Sequence, residues 1–225
     1  MTFSIVGHCE RTGMFGVAIT TSSICVGARC PHARAGVGAV ATQNITDPSL
    51  GPAILDVLAS GAGAKQALET VLQGRDHLDY RQLTVVDQHG ETASFTGSNI
   101  LGTNAESNGA HCYAAGNLLS TIEVPLAMTQ GFEKNADCHL AERLLKALEA
   151  GLAAGGEEGD VHSAALVVVD TMPFPLVDLR VDWDDENPVL KLRKLWQDYQ
   201  PQMIDYLTRA IDPSDAPSYG VPGDE

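Results

Sequence analysis

Thr2-Phe3-Ser4-Ile5-Val6-Gly7 alternates in character from its first residue, with Phe3, Ile5 and Gly7 on one face. That period of two is the mark of a strand with distinct faces. Residues 8–13 are polar and carry Glu10, Arg11 and Thr12, which suits a turn. Residues 14–23 resume the alternation, with Phe15, Val17 and Ile19 on one face. Together these segments predict an N-terminal β-hairpin. Residues 37–42 predict a third strand. The stretch between, 24–36, reads as a loop whose Arg29, His32 and Arg34 form a local excess of positive charge.

Working outward, two amphipathic helices are predicted over 50–60 and 64–72, ending at Gly61 and Gly74. Strands are predicted over 81–87, 91–96 and 110–115, the last leading into Gly116-Asn117. A helix over 121–133 accommodates Pro125 near its first turn. The longest helix, 138–154, sets Leu140, Leu144, Leu145 and Leu148 against Glu142, Arg143, Lys146 and Glu149. Residues 163–170 are almost continuously apolar and read as a strand buried on both faces. Residues 176–182 are its expected neighbour. Pro188 starts a helix bearing Leu192, Leu195, Trp196 and Tyr199, and 202–211 continues the helical part. No linker divides the chain, so 1–211 is expected to form a single domain followed by an acidic, Pro-rich tail, 212–225.

Composition narrows the function classes. The 225 residues suffice for one well-cored domain, and the formal net charge of −15 argues against nucleic acid and anionic membranes as partners. No apolar run approaches the roughly 20 residues that span a bilayer. A secretory signal pattern is not evident, so the expected location is cytoplasmic. The five cysteines are odd in number, and four sit in His-Cys or Cys-x-His neighbourhoods. Adjacent strand residues point to opposite faces, so such neighbours do not chelate one ion. Reduced core cysteines are expected, with no metal and no organic cofactor. A metal-dependent hydrolase built on His8, His32 and His111 is the weaker alternative.

Thr2 carries the chemistry most directly. With Met1 removed, its hydroxyl and free α-amine lie on one residue and form a nucleophile with its own base. The small side chain at position 2 suits removal of Met1 by methionine aminopeptidase. An α-amine with a pKa of about 8 is partly neutral near pH 7 and can take the hydroxyl proton. Thr is also an ordinary strand residue, and the other candidates have equally plain readings. Ser22 and Ser23, in the run Thr20-Thr21-Ser22-Ser23, are candidate substrate contacts or strand-end hydroxyls bonding backbone. Arg29 and His32 offer positive charge for a carboxylate or oxyanion. Thr42 and Gln43 close the third strand as candidate substrate contacts. Asn117 is a candidate oxyanion donor, Gly116 permitting close backbone approach, or the pair forms a turn. Asp178, Arg180 and Asp182 share one strand face and read as an ion-pair ladder.

The segments 2–6, 16–18, 26–29, 36–43, 81–82, 116–117, 163–166 and 178–182 resemble, in order, a bacterial family of unknown function similar to the N-terminal-nucleophile (Ntn) hydrolases. The resemblance implies an α+β fold, a four-layer α-β-β-α sandwich of two mainly antiparallel sheets. It also implies Arg29 as the charge anchor, since Ntn hydrolases often place Lys or Arg comparably. One departure is the acidic Glu157-Glu158-Gly159-Asp160 stretch, where the pattern carries basic residues and Gln. The resulting expectation is an Ntn-type amidohydrolase acting on a small amide or peptide-like substrate. Thr2 would be nucleophile and base, Arg29 the anchor and Asn117 the oxyanion donor. The alternative is a non-catalytic metabolite-binding or assembly protein on the same fold. A homodimer is expected, with the Trp196–Tyr199 helix and the tail at the contact.

Overall fold

The computed structural model describes residues 1–222. The strands are β1 (Thr2–His8), β2 (Phe15–Thr21), β3 (Pro31–Arg34), β4 (Gly38–Asn44), β5 (Arg81–Asp87), β6 (Thr92–Thr96), β7 (Ala105–Gly109), β8 (Cys112–Asn117), β9 (Ser163–Val169) and β10 (Val177–Val181). The helices are α1 (Leu50–Ala59), α2 (Ala64–Leu72), α3 (Val124–Glu133), α4 (Leu140–Ala153), α5 (Pro188–Tyr199) and α6 (Met203–Ile211). The strands form two antiparallel sheets. The larger has six strands in the order β10-β9-β2-β1-β8-β7, and the smaller has four in the order β3-β4-β5-β6.

Alternation along β1 decides how these layers meet. Phe3 and Ile5 face α3 and α4 in a core that includes Met128, Phe132, Leu144 and Leu148. Val6 faces the opposite way and packs with Val17 of β2 and with Ala39, Ala41 and Val86 of the smaller sheet. On that sheet's far face, Val40, Leu83 and Val85 pack against Ile54, Leu58 and Leu68 of α1 and α2. The helices approach the larger sheet over a paired-glycine saddle, Gly7 opposite Gly16. A Cβ on Gly7 would lie 2.7 Å from the Phe132 ring, and one on Gly16 would lie 2.5 Å from the Val167 carbonyl oxygen. No helix among the described residues is long and apolar enough to cross a membrane.

The structure corrects four expectations. Residues 31–34 are a strand, β3, within the stretch read as a loop. A short polar strand, β7, lies at the edge of the larger sheet and was not foreseen; one row of its side chains faces solvent, so it carries little apolar signal. Gly116 and Asn117 are not a turn. They are the end of β8, paired with Phe3 and Thr2. Trp196 is only 1% exposed, with its Nε1 donating to Glu142 at 2.8 Å, so it does not present a surface for a second subunit. Tyr199 is half-buried and donates to the Leu176 carbonyl at 2.8 Å. The described part of the tail folds back on α6, where the Arg209 guanidinium stacks 3.8 Å from the Tyr219 ring centroid. Residues 223–225 lie outside the described residues.

Candidate functional site

β1 is a central strand, so its first residue lies at the end of a sheet between Thr21 of β2 and Asn117 of β8. Thr2 is 6% exposed. Its Oγ1 donates to the Met1 carbonyl at 2.5 Å and lies 3.0 Å from Thr21 Oγ1. Thr21 Oγ1 donates to the same carbonyl. The hydroxyl chain continues to Ser23 Oγ, 3.3 Å from Thr21 Oγ1, and to Arg29, whose terminal nitrogen donates to Ser23 Oγ at 2.5 Å. Arg29 also donates to the Ile24 and Cys25 carbonyls, which clamps the loop after β2. Thr2, Ser23 and Arg29 are therefore brought together, joined by Thr21.

Ser163 holds this loop from the other side. Its Oγ donates to the Ser23 carbonyl at 2.6 Å and accepts from the Val26 N–H at 3.1 Å. Ser163→Ala leaves the buried Val26 N–H and the part-buried Ser23 carbonyl without this partner. We expect a loss of about 1–3 kcal/mol, read from chemical denaturation.

Beneath Thr2 the space between the sheets is filled by a polar network. Ser4 Oγ donates to Gln43 Oε1 at 2.6 Å, and Gln43 Nε2 donates to Gln82 Oε1 at 2.8 Å. Asn117 Nδ2 donates to that same Gln82 oxygen at 3.1 Å, while Asn117 Oδ1 has no partner among the described residues. Asn117 thus lies beside Thr2, with one of its two amide hydrogens taken by Gln82. Gln43 and Thr42 are fully buried; Thr42 Oγ1 faces the Asp47 carbonyl at 3.4 Å. Neither presents a free side chain to a cleft, a departure from their expected role as substrate contacts.

His32 is also displaced from the expected site. On β3 the period of two sends Ala33 toward the sheet interface and His32 and Arg34 toward α1. A Cβ on Gly51 of α1 would lie 2.1 Å from the His32 ring, so the imidazole packs on bare helix backbone. Burial lowers its pKa, partly opposed by the Arg29 carbonyl 3.3 Å from Nε2. Arg34 pairs with Asp56 at 2.8 Å.

Sequence reasoning did not single out Glu157 as a site residue. It is 6% exposed, and neither carboxyl oxygen has a hydrogen-bond partner among the described residues. Burial pushes its pKa up to about 8, against weaker downward pulls from the terminal ammonium and the nearby Ser22 N–H. Ser22 itself is half-buried beside this carboxyl. Residues 156–159 wrap over the N-terminus. Glu157 bridges Leu119, the Glu158 N–H donates to the Leu118 carbonyl at 3.0 Å, and a Cβ on Gly159 would lie 3.2 Å from Met1 Cε. Leu118, next to Asn117, is held at φ +48°, a left-handed conformation unfavourable for an L side chain by roughly 1–2 kcal/mol. The acidic departure at 157–160 was legible in the sequence; the inward turn of its first carboxyl was not.

Among the described residues, no group of three or more His, Cys, Asp or Glu is placed to hold a metal ion. The arrangement supplies hydroxyls at a β-strand terminus, a buried carboxyl and an arginine-braced loop. With a free amine at Thr2, such a set can support acyl transfer.

No protein of curated function matches the chain. The crystal structure of protein SPO2555 from Silicibacter pomeroyi is similar over 88% of this chain and 89% of that one, with 34% identity and a TM-score of 0.81. Anbu, the ancestral beta-subunit from Yersinia bercovieri, aligns over 91% of this chain and 97% of its own, at 10% identity and a TM-score of 0.41, a likeness too slight to bear on function. A family model covers residues 2–192, and the Silicibacter protein is assigned to the same family. The chain belongs to the family of unknown function DUF1028.

Proposed function

We propose that the chain is an Ntn-type amidohydrolase acting on a small amide or peptide-like substrate after removal of Met1, within a four-layer α-β-β-α sandwich. The layer order supports that architecture: α3 and α4 on one sheet, α1 and α2 on the other, and the sheets facing each other. One observation carries the chemistry. The Met1 carbonyl is held by the hydroxyls of Thr2 and Thr21, so this position accommodates a peptide carbonyl beside the proposed nucleophile. That carbonyl stands in for the substrate's.

In the reaction, the Thr2 α-amine takes the Oγ1 proton as Oγ1 attacks the amide carbon. The substrate's amine leaves with that proton, returned by the Thr2 α-ammonium, and water hydrolyses the ester on Thr2. Thr21 Oγ1 is the better placed donor to the developing oxyanion, and Asn117 and Gln82 act by positioning. Arg29 holds the Ser23 loop and anchors a substrate carboxylate. Glu157, whose carboxyl pKa burial raises to about 8, lies over the N-terminus, and its protonated form places no negative charge beside the amine. The test is turnover of a panel of small amides by protein with and without Met1; activity confined to the Met1-free form is expected.

A second reading, a non-catalytic binding or assembly protein, is favoured by the occupied Thr2 hydroxyl and its 6% exposure with Met1 in place. Ligand binding unaffected by Met1, with no turnover in either form, would select it. The reading retains a homodimer. Leu190 and Leu195 of α5 and Ile204 and Ile211 of α6 are exposed and apolar, and supply a contact in place of Trp196. Light scattering coupled to size exclusion is expected to give twice the monomer mass; a monomer at micromolar concentration removes this part of the proposal.

A further inference from the structure

The opposite end of β1 holds a second cleft of about 330 Å³, whose lining includes His8, Glu10, Arg11, His111, Glu133 and Arg143. β1 runs from Thr2 to His8, so at about 3.3 Å per residue the cleft lies roughly 20 Å from the Thr2 hydroxyl. Its volume suits a small molecule.

Arg143 is the anomaly in this cleft. It is 7% exposed, and no other Lys or Arg is buried among the described residues. Its guanidinium stacks 3.8 Å from the Phe132 ring centroid, and its Nε makes a long 3.5 Å contact with the Phe132 carbonyl. No carboxylate pairs with it, and its two terminal nitrogens have no hydrogen-bond partner among the described residues. Other arginines in this chain do find acids. Arg193 bonds Glu142 and Glu149, Arg180 bonds Asp178, and Arg34 bonds Asp56. In a chain with 29 acidic and 14 basic residues, an arginine buried to this degree that turns its terminal nitrogens to a cleft rather than to an acid is unusual. Beside it, His8 is also buried, with Nδ1 unpartnered.

The rest of the cleft has the opposite sign. Glu10 approaches His111 at 3.6 Å but is itself largely exposed. Glu133 Oε1 accepts from the Ala110 N–H at 2.7 Å, and its other oxygen has no partner among the described residues. Asp137 completes the acidic rim, and Arg11 donates past it to the Asp137 and Cys138 carbonyls. A dianion such as phosphate would meet these carboxylates unfavourably. A ligand with one carboxylate and one ammonium satisfies both halves.

We propose that this cleft binds a small zwitterion of the α-amino acid class, its carboxylate forked by Arg143 and its ammonium received by the Glu10–Glu133–Asp137 rim. The planar guanidinium keeps its edge free for a bidentate carboxylate while its face rests on Phe132. The site is separate from Thr2 and does not depend on hydrolysis.

The test is isothermal titration of the full chain with glycine, L-alanine and larger L-amino acids, with acetate, ethylammonium and phosphate as comparison ligands. Amino acids are expected to bind at least tenfold more tightly than any comparison ligand. Arg143→Met should weaken them at least tenfold while keeping a cooperative melt, because methionine keeps an apolar stem against Phe132 and no ion pair is lost. Glu133→Gln changes only the exposed rim and should weaken amino acids while sparing acetate, which keeps the test valid if Arg143→Met does not fold. Thr2→Ala should leave binding unchanged. No amino acid binding, or acetate or phosphate binding as tightly, would overturn the proposal. So would affinity unmoved by Arg143→Met or, where that variant does not fold, by Glu133→Gln.

Discussion

Thr2→Ala is expected to lower the kcat/KM of the Met1-free protein for its amide substrate by about 10⁴-fold or more, the scale seen when a covalent nucleophile is removed. Position 2 starts a central strand with all seven of its residues buried, so the change leaves β1 and its pairings intact. The loss therefore falls on kcat rather than on folding. Thr2→Ser retains a hydroxyl and should keep measurable turnover, with acyl-enzyme trapped on residue 2. Protein that retains Met1 should be as inactive as Thr2→Ala, because its amine is an amide and its hydroxyl is bonded to the Met1 carbonyl. Steady-state kinetics on the matched set checks this. Equal rates for Thr2→Ala and the parent chain would remove Thr2 from the chemistry.

Glu157→Gln is expected to stabilise the protein in alkali and to do little in acid. The folded-state pKa of about 8 lies above the ordinary 4.5, so the folded chain retains a proton that the unfolded chain releases. Between those values the folded state binds more protons, and stability falls by up to about 1.4 kcal/mol per pH unit as pH rises. Below the unfolded pKa this penalty is absent; above the folded pKa it is complete. Glutamine keeps the shape, cannot ionise and escapes the penalty. The variant should therefore gain on the order of 3 kcal/mol over the parent between pH 5 and pH 8.5, or roughly 6–12 °C in Tm for a chain of this length. Thermal melts across that range are the check. A pH-independent difference would show that Glu157 titrates normally.

How far the sequence carried the fold depended on how strongly each segment was patterned. β1 and β2 alternate cleanly and were readable as a hairpin, which their seven-pair register confirms. α4 was legible from its leucine stripe, and β9 from an apolar run that is buried on both faces. β3 is four residues long and begins with proline, so its charges dominated the reading and hid the strand that sends His32 and Arg34 to α1. β7 is polar because it lies at an edge. Trp196 lay on a face read as exposed because one-dimensional periodicity cannot say which helix will cover which stripe.

The site divides the same way. Thr2 starts one strand of the hairpin and Ser23 and Arg29 follow the other, so the hairpin pairing brought them together. Asn117 required the pairing of β1 with β8, and Glu157 required a loop 155 positions from Thr2 in sequence to fold over the N-terminus. Gln43 and Gln82 show the converse. They are register partners on neighbouring strands of the smaller sheet and face the larger one, where Ser4 bonds Gln43, so what reads as a polar strand end becomes a sealed network. Nothing local in a sequence separates a glutamine awaiting substrate from one already bonded to another glutamine.

The most direct measurement is the N-terminal mass of the chain in the fraction that hydrolyses amides. The account predicts a chain one methionine residue lighter than the full sequence, starting at Thr2. Amide-hydrolysing protein that still carries Met1 would contradict it.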